Sequence, residues 1–323
     1  MCHFLCSALS TSAAPYYFKP FRRGIPIREF ADGALHANLP VRAALREMKR
    51  LWHATTNLDA LVSVGTGIQD HEVQLPNVAR IGGFEAVCKT FFNSLDTEAT
   101  WNDFTHEREY SAELHHRLNV PINGDYVGLD DYKAIPRMLQ SVESQDRNTS
   151  WSPHSYLFRL GIVVDRLKAS LLFFEPDPSL AAEESTFLRV GPAGYELRGT
   201  IRCRLCKSSD SLGLLVDSIE DFSQSQRTSS SSNEVEGHAT WTTIKFSDAL
   251  RKDVRTSDAW LRVPCILKSR DKDTEHTVAV RLRKPLGAGA SGTSLTARIP
   301  ISGFPATFGE LEAKARQRWN VGD

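Results

Sequence analysis

The sequence predicts an α/β domain followed by a β-rich, sandwich-like domain, and three observations support this prediction. Pro40 to Trp52 repeats apolar residues at helical spacing. Residues 58–67 form a continuous apolar run that ends in glycines, which is typical of a buried parallel strand. In the second half, segments such as 276–283 alternate as strands with one buried face do. We therefore place the α/β domain at 1–150 and the β-rich domain at 151–323.

Composition narrows the class of protein. The chain has 323 residues, and its 39 Lys and Arg balance its 39 Asp and Glu, which gives no support for a nucleic-acid partner. Six cysteines are too sparse for a disulfide framework, so we expect a reduced, cytoplasmic chain. No apolar run approaches the ~20 residues that a membrane-spanning helix needs.

The elements of the first domain follow in order. Small residues and then prolines and aromatics over 10–21 indicate the end of a helix and an extended segment. Residues 24–30 predict a short strand, and Pro40 opens the next helix. Six apolar side chains of that helix are expected to face the core. They are Val41, Ala44, Leu45, Met48, Leu51 and Trp52.

Residues 81–140 are predicted to be mostly helical, with Trp101 and Phe104 as buried anchors. His115 and His116 are interpreted as a surface pair, because adjacent residues point apart on a helix and so make a poor metal site. Asp131 is predicted to cap a helix that ends near residue 142.

The second domain is predicted to hold several strands and one closing helix over 307–319. A Ser-rich stretch at 223–233 is predicted to be a disordered loop. Cys203 and Cys206 have CxxC spacing, but positions three apart in a strand face opposite sides, so we expect ordinary thiols and no metal or cofactor. The predicted strands cover residues 195–206, 239–246, 259–268 and 276–283.

A carboxylate near the start of the chain is the candidate functional group. Asp32 ends an apolar approach, Gly33 after it lets the backbone turn at no steric cost, and a helix follows at Pro40. A carboxylate in a strand-to-loop turn ahead of a helix is where α/β enzymes place a catalytic acid or base. Asp-Gly is also an ordinary turn dipeptide, so the neighbours have to decide between the two interpretations.

Four neighbouring elements together resemble the C-terminal half of the patatin-like phospholipase domain, particularly its fungal members. The resemblance covers residues 10–70. The stretch with Trp101, Phe104, Arg117-Leu118-Asn119 and Leu129-Asp130 resembles the region after that domain in the fungal proteins. The four elements are Thr11-Ser12-Ala13-Ala14-Pro15, Ala31-Asp32-Gly33-Ala34 with Asn38 and Pro40, the helix to Trp52, and Leu61-Val62-Ser63-Val64-Gly65-Thr66-Gly67.

The resemblance implies a three-layer α/β domain and a lipid acyl hydrolase with a Ser–Asp dyad. Asp32 matches the general base of that dyad, and Gly33-Ala34 completes its motif. In such a dyad the base activates a serine hydroxyl, and aimed N–H groups stabilise the oxyanion. The implied partners are lipid acyl esters and a membrane surface.

The family's nucleophile motif, Gly-x-Ser-x-Gly, and its Gly-rich oxyanion loop do not occur in this sequence. Both belong to the first half of the family domain, so we expect a truncated hydrolase that is inactive alone. An open sheet edge would then favour self-association. A non-catalytic interaction protein is the alternative. Ser63 as a substitute nucleophile is disfavoured, because the glycines of an elbow do not flank it.

Overall fold

The structure is a computed structural model, and it divides the chain into two compact units. Unit 1 comprises Met1–Thr56 and Leu61–Arg159, and unit 2 comprises Asn57–Ala60 and Leu160–Asp323. The described residues are 2–13, 18–52, 58–68, 97–107, 110–122, 124, 127, 131–147, 156–177, 189–191, 194–206, 209–227, 241–256, 260–283 and 297–319.

The described part of unit 1 combines helices with two small sheets. In chain order its elements are α1 (Cys2–Thr11), β1 (Phe21–Arg23), β2 (Arg28–Phe30), α2 (Ala34–Ala37), α3 (Val41–Trp52), β3 (Leu61–Val64), α4 (Thr97–Thr105), β4 (His115–Leu118), a 3-10 turn (Tyr132–Ala134) and α5 (Ile135–Arg147). Helix α6 (Tyr156–Ser170) crosses the division between the units.

Helix α3 confirms the predicted helix but buries less of it than expected. The Pro40 carbonyl accepts the N–H of Ala44 at 2.8 Å, which starts the helix at the predicted proline. Val41 and Leu45 are buried, and Met48 below them is half-buried. The expectation that all six apolar residues face the core is wrong. Ala44 and Leu51 lie off the line of the buried residues, and Trp52 occupies the exposed last turn.

The parallel strand predicted within residues 58–67 is confirmed as β3. It pairs in parallel with β4, with Leu61 opposite His115 and Val64 opposite Leu118. The helical prediction is wrong for β4, and the surface interpretation of its histidine pair fails with it. Alternate side chains of a strand point to the same face, and His115 lies on a buried face of β4. The neighbouring strand β3 pairs with the backbone of this segment.

Aromatic packing explains the burial of His115. Trp101 and Phe104 are both buried, as predicted, and the Phe104 ring lies 5.3 Å from the His115 imidazole between ring centroids. Tyr110 completes the cluster, with its ring 5.6 Å from the imidazole. The Ser111 N–H donates to His115 Nδ1 at 2.9 Å, which fixes that nitrogen as an acceptor. This histidine therefore belongs to the packing of unit 1.

The helix predicted after Asp131 is present, although it ends later. A 3-10 turn over Tyr132–Ala134 leads into α5, which ends at Arg147. Asp131 occupies the N-cap position of this turn, as predicted, although its side chain makes no capping hydrogen bond. Residues 81–96, the first part of the predicted helical stretch, lie outside the described residues.

Within the described residues, unit 2 contains two antiparallel sheets and three helices that lie wholly within it. The elements are β5 (Leu172–Pro176), β6 (Arg189–Gly191), β7 (Gly194–Cys203), α7 (Asp210–Ser218), β8 (Ile219–Arg227), β9 (Thr242–Ile244), α8 (Asp248–Thr256), β10 (Arg262–Ser269), β11 (Glu275–Leu282), β12 (Ile299–Pro300), β13 (Ala306–Thr307) and α9 (Phe308–Trp319). One sheet has the strand order β10-β7-β5, with β6 also paired to β7. The other sheet has the strand order β12-β11-β8-β9, with β13 also paired to β11.

Both sheets bury side chains in a single hydrophobic cluster. Strand β10 alternates strictly, with Val263, Cys265 and Leu267 inward. Phe222 on β8 and Val280 on β11 enter the cluster from the other sheet. The chain is thus mixed α/β, and its second unit is rich in strands that share one core, as the sequence predicts.

Strand β8 overturns part of the predicted Ser-rich loop. Its last five residues fall at the start of the predicted 223–233 segment, and Ser223 and Ser225 are buried. The reason is pairing with distant segments, since β11 lies on one side of β8 and β9 on the other. The remainder of that prediction lies within residues 228–240, outside the described residues.

A buried histidine gives unit 2 a pH dependence. His276 on β11 is 1% exposed, its ring stacks on Phe308 at 4.3 Å, and its Nε2 has no hydrogen-bond partner among the residues that the structure describes. Burial lowers the pKa of His276 from 6.5 to about 4. Between these values the unfolded chain binds the proton and the folded chain does not, so the free energy of unfolding falls as the pH drops from 6.5 towards 4.

We expect a His276→Phe variant to lose this dependence. In the wild type the free energy of unfolding should fall by about 3 kcal/mol in total, and the fall should be complete near pH 4, because each pKa unit corresponds to about 1.4 kcal/mol. Urea unfolding at pH 7, 6, 5 and 4 measures it, with the exposed His106 replaced by glutamine as the control. Equal losses of stability in the wild type and the His276→Phe variant would contradict the assignment.

Candidate functional site

Asp32 lies in a short turn between strand β2 and helix α2. Its backbone N–H donates to the carbonyl oxygen of Ala13 at 3.0 Å, so two of the elements that carry the resemblance are in direct contact. The Ala34 N–H donates to Asp32 Oδ1 at 2.8 Å. This local bond fixes the carboxylate, and among the described residues Oδ2 carries no hydrogen bond. One carboxylate oxygen is therefore held and the other is available to accept a proton.

Gly33 does not play the steric role predicted for it. Its backbone angles, φ −65° and ψ −17°, are ordinary right-handed helical values. A Cβ at this position would meet no atom of the described residues within 4 Å. The turn forms because the Asp32 side chain accepts the Ala34 N–H, which is a conformation open to any residue at position 33.

The segment before Asp32 is a hairpin, and the strand predicted over 24–30 is present but shorter, at Arg28–Phe30. Strands β1 and β2 pair antiparallel, with Phe21 opposite Phe30. Gly24 turns the chain between them at φ +97°, a value that favours glycine. The side chains of β2 are exposed, so Asp32 follows an exposed two-stranded ribbon.

A second polar cluster lies in the parallel pair of unit 1. The Arg117 side chain, 6% exposed, donates from Nε and Nη2 to Glu98 Oε1 at 3.0 and 2.8 Å. It also donates from Nη1 to Ser63 Oγ at 2.9 Å and from Nη2 to Thr97 Oγ1 at 3.0 Å. A buried guanidinium with these partners is compensated, and it ties β3, β4 and α4 together.

Asn119 extends this cluster to the glycines after β3. Its Nδ2 donates to Glu98 Oε1 at 2.6 Å, and its Oδ1 accepts the Gly67 N–H at 2.8 Å. A Cβ on Gly65 would lie 2.3 Å from the Asn119 side chain. Gly67 has φ +121°. The two glycines are thus needed for different reasons, one for close approach and one for backbone conformation.

The sequence reasoning missed the roles of Glu98, Arg117 and Asn119. Arg117 and Asn119 alternate with apolar neighbours, which is a pattern of period two. That signal identifies a strand with polar groups on a buried face once the segment is not treated as a helix.

The surroundings of Ser63 do not fit a nucleophilic role. Its hydroxyl oxygen accepts a hydrogen bond from the Arg117 guanidinium at 2.9 Å. A guanidinium stays protonated in proteins and cannot remove the serine proton. The structure gives Ser63 a structural bond to a buried cation.

The two cysteines of the CxxC pair lie in different environments. The two buried cysteines, Cys203 and Cys265, have unreactive surroundings. Cys203 is buried at the end of β7, whereas Cys206 is exposed beyond that strand. Burial raises the pKa of the Cys203 thiol, and it raises the pKa of Cys265 to about 12. In the part of the chain that the structure describes, no three His, Cys, Asp or Glu side chains are grouped as metal ligands. None of the helices described there is long and apolar enough to cross a bilayer.

Two comparisons with known proteins each found a partial match to the chain. Residues 196–316, within unit 2, match a family described as a domain of unknown function (DUF8392). Over 75 residues, 23% of the chain, the sequence is 39% identical to phospholipase A I of Arabidopsis thaliana. The aligned part is 5% of that protein's length, so the chain spans a small fraction of this relative. No solved structure matches the chain significantly.

Proposed function

We propose that unit 1 is the base-bearing part of a patatin-like lipid acyl hydrolase, acting on fatty-acyl esters. The observation that carries the proposal is the 39% identity over 75 residues to a phospholipase. The Asp32 turn adds the chemistry, because one oxygen is held by the Ala34 N–H and the other can accept a proton. The motif Asp32-Gly33-Ala34 is the one that the family resemblance assigns to the dyad.

The proposed reaction divides into acylation and deacylation. A serine hydroxyl attacks the ester carbonyl carbon while Asp32 takes its proton, and the carbonyl oxygen of the ester becomes an oxyanion. Collapse of this intermediate breaks the bond to the alcohol, which leaves with the proton from Asp32. Water then attacks the acyl-serine while Asp32 takes its proton. Breaking of the bond to the serine oxygen releases the fatty acid, and Asp32 returns the proton to that oxygen.

The family motif that holds the serine nucleophile does not occur in this sequence. The chain acting alone is therefore expected to lack acyl-transfer activity. No Gly-x-Ser-x-Gly occurs in the 323 residues, and Ser63 is bonded to a cation. A base without a positioned nucleophile leaves acyl transfer without its first step. The proposed hydrolase therefore needs a serine-bearing segment that this sequence does not contain.

The test compares the chain alone with a reconstituted domain. The 323-residue chain is expected to show no turnover of short p-nitrophenyl esters or phosphatidylcholine above a heat-denatured sample. The same chain, extended at its N-terminus by the serine-bearing half of a patatin-like phospholipase, is expected to hydrolyse both. A single cooperative melting transition would verify that the extended protein folds.

Two results would count against the proposal. Turnover by the 323-residue chain alone would show that the base works with another nucleophile. A folded, extended protein without turnover would favour the second candidate, a non-catalytic interaction protein. The absence of the serine motif from the sequence is the observation that favours this second candidate.

A further inference from the structure

An exposed hairpin with an apolar tip precedes the Asp32 turn. We name residues 18–30 the basic hairpin; it contains β1, β2 and the turn between them. At its tip Ile25 is fully exposed and Ile27 is 74% exposed. Phe18 and Phe30 near its base are also exposed. Four large apolar side chains on one short ribbon form a surface that favours a partner over water.

The charge of the hairpin indicates the sign of that partner. Lys19, Arg22, Arg23 and Arg28 carry positive charge, and Glu29 carries the single negative charge. These residues give the hairpin a net charge of +3, while the whole chain has a net charge of zero. The positive side chains are therefore concentrated beside the apolar tip.

The register of the hairpin shows that part of this charge opposes folding. Arg23 lies directly opposite Arg28, next to the tip, and like charges in this position destabilise a strand pair. The next pair, Arg22 with Glu29, forms an ion pair at 2.5 Å. An anionic partner would relieve the repulsion of the arginine pair and leave the ion pair intact.

We infer that the basic hairpin docks this protein on an anionic phospholipid bilayer. Ile25 and Ile27 insert among the acyl chains, and the arginines beside them contact the headgroup phosphates. The inference goes beyond the proposed function, because binding requires no hydrolysis. Asp32 follows Phe30 by two residues, about 7 Å of extended chain, so docking would also hold the proposed base near the lipid surface.

Vesicle co-sedimentation of the full 323-residue chain tests the inference. Vesicles contain phosphatidylcholine alone or with about 30% phosphatidylserine, in about 0.1 M NaCl. We expect binding to the anionic vesicles and weaker binding in about 0.5 M NaCl, where the charges are screened. Replacing Arg22, Arg23 and Arg28 by glutamine should weaken binding about 100-fold, since each positive charge near such a surface contributes about fivefold.

Variants of the apolar tip separate insertion from simple charge attraction. Ile25→Ser with Ile27→Ser should weaken binding at least about fivefold, because hydroxyl side chains gain nothing from the acyl region. The matched apolar control replaces Ile135 and Leu139 on α5, which are 51% and 59% exposed, by serine. The matched charge control replaces the exposed Arg46, Lys49 and Arg50 on α3 by glutamine.

A gain of binding guards against variants that merely misfold. Ile25→Trp should strengthen binding, since indole side chains favour the membrane–water interface. Equal binding to neutral and anionic vesicles, or unchanged binding of the tip variant, would overturn the inference. Self-association without vesicles that the tip variant abolishes, and no vesicle binding, would instead identify the hairpin as a contact between copies of this chain.

Discussion

Asp32→Asn is expected to lower the hydrolytic kcat of the reconstituted domain by about 10²- to 10⁴-fold, the range that a positioned general base contributes. Asparagine has the same shape as aspartate but cannot take the serine proton. Its Oδ1 can still accept the Ala34 N–H, which the structure places at 2.8 Å, so the turn should persist. Initial rates with p-nitrophenyl butyrate, together with the melting temperature, separate lost chemistry from lost folding.

The matched control for Asp32→Asn is Asp103→Asn, the same chemical change at an exposed site on α4. We expect the control to keep the wild-type rate. If the Asp32 variant kept more than about a third of the activity, the base would be another group, and the assignment from the motif would fail. Gly33→Ala tests whether the turn needs glycine at this position, because no atom of the described residues lies within 4 Å of the added methyl group.

Local sequence signals predicted the parts of unit 1 that depend on neighbours in the chain. The apolar spacing of α3 and its opening proline located that helix nearly residue for residue. The apolar run before Gly65 located the parallel strand β3. Both signals lie within about 12 residues, which is the range over which periodicity and helix signals act.

Pairing between distant segments explains the errors. Strand β4 contacts β3 from about 50 residues away in the chain, and the period-two pattern that marks it as a strand is short. Strand β8 has a loop-like, Ser-rich sequence, yet its partners β9 and β11 make it a central strand. Tertiary pairing overrides local preference in such strands, because packing against neighbours decides strand stability.

The candidate site divides along the same line. The Asp32 turn is a local structure, and its motif was visible in the sequence. The network of Arg117, Glu98 and Asn119 depends on a strand, a helix and the glycines after a second strand. The three-layer arrangement and the domain boundary at 150 stay predictions, whereas the compact units divide after Arg159.

The polar network predicts that Gly65→Ala is strongly destabilising. The new methyl group would lie 2.3 Å from Asn119, whose side chain is held between the Gly67 N–H and Glu98. Moving Asn119 breaks both hydrogen bonds, and leaving it in place strains the backbone. We expect a loss of about 4 kcal/mol in the free energy of unfolding, measured by urea titration followed by circular dichroism.

A double-mutant cycle can attribute this loss to one contact. Asn119→Ala alone should cost about 2 kcal/mol, because the Gly67 N–H and Glu98 lose a partner. Asn119→Ala removes the three atoms nearest to the new methyl group, so adding Gly65→Ala should then cost little. The double variant should lose about 2 kcal/mol, about 4 kcal/mol less than the sum of the two single losses. Additive losses would show that contact with Asn119 does not cause the destabilisation. In that case the close contact between Gly65 and Asn119 would not contribute to the stability of unit 1.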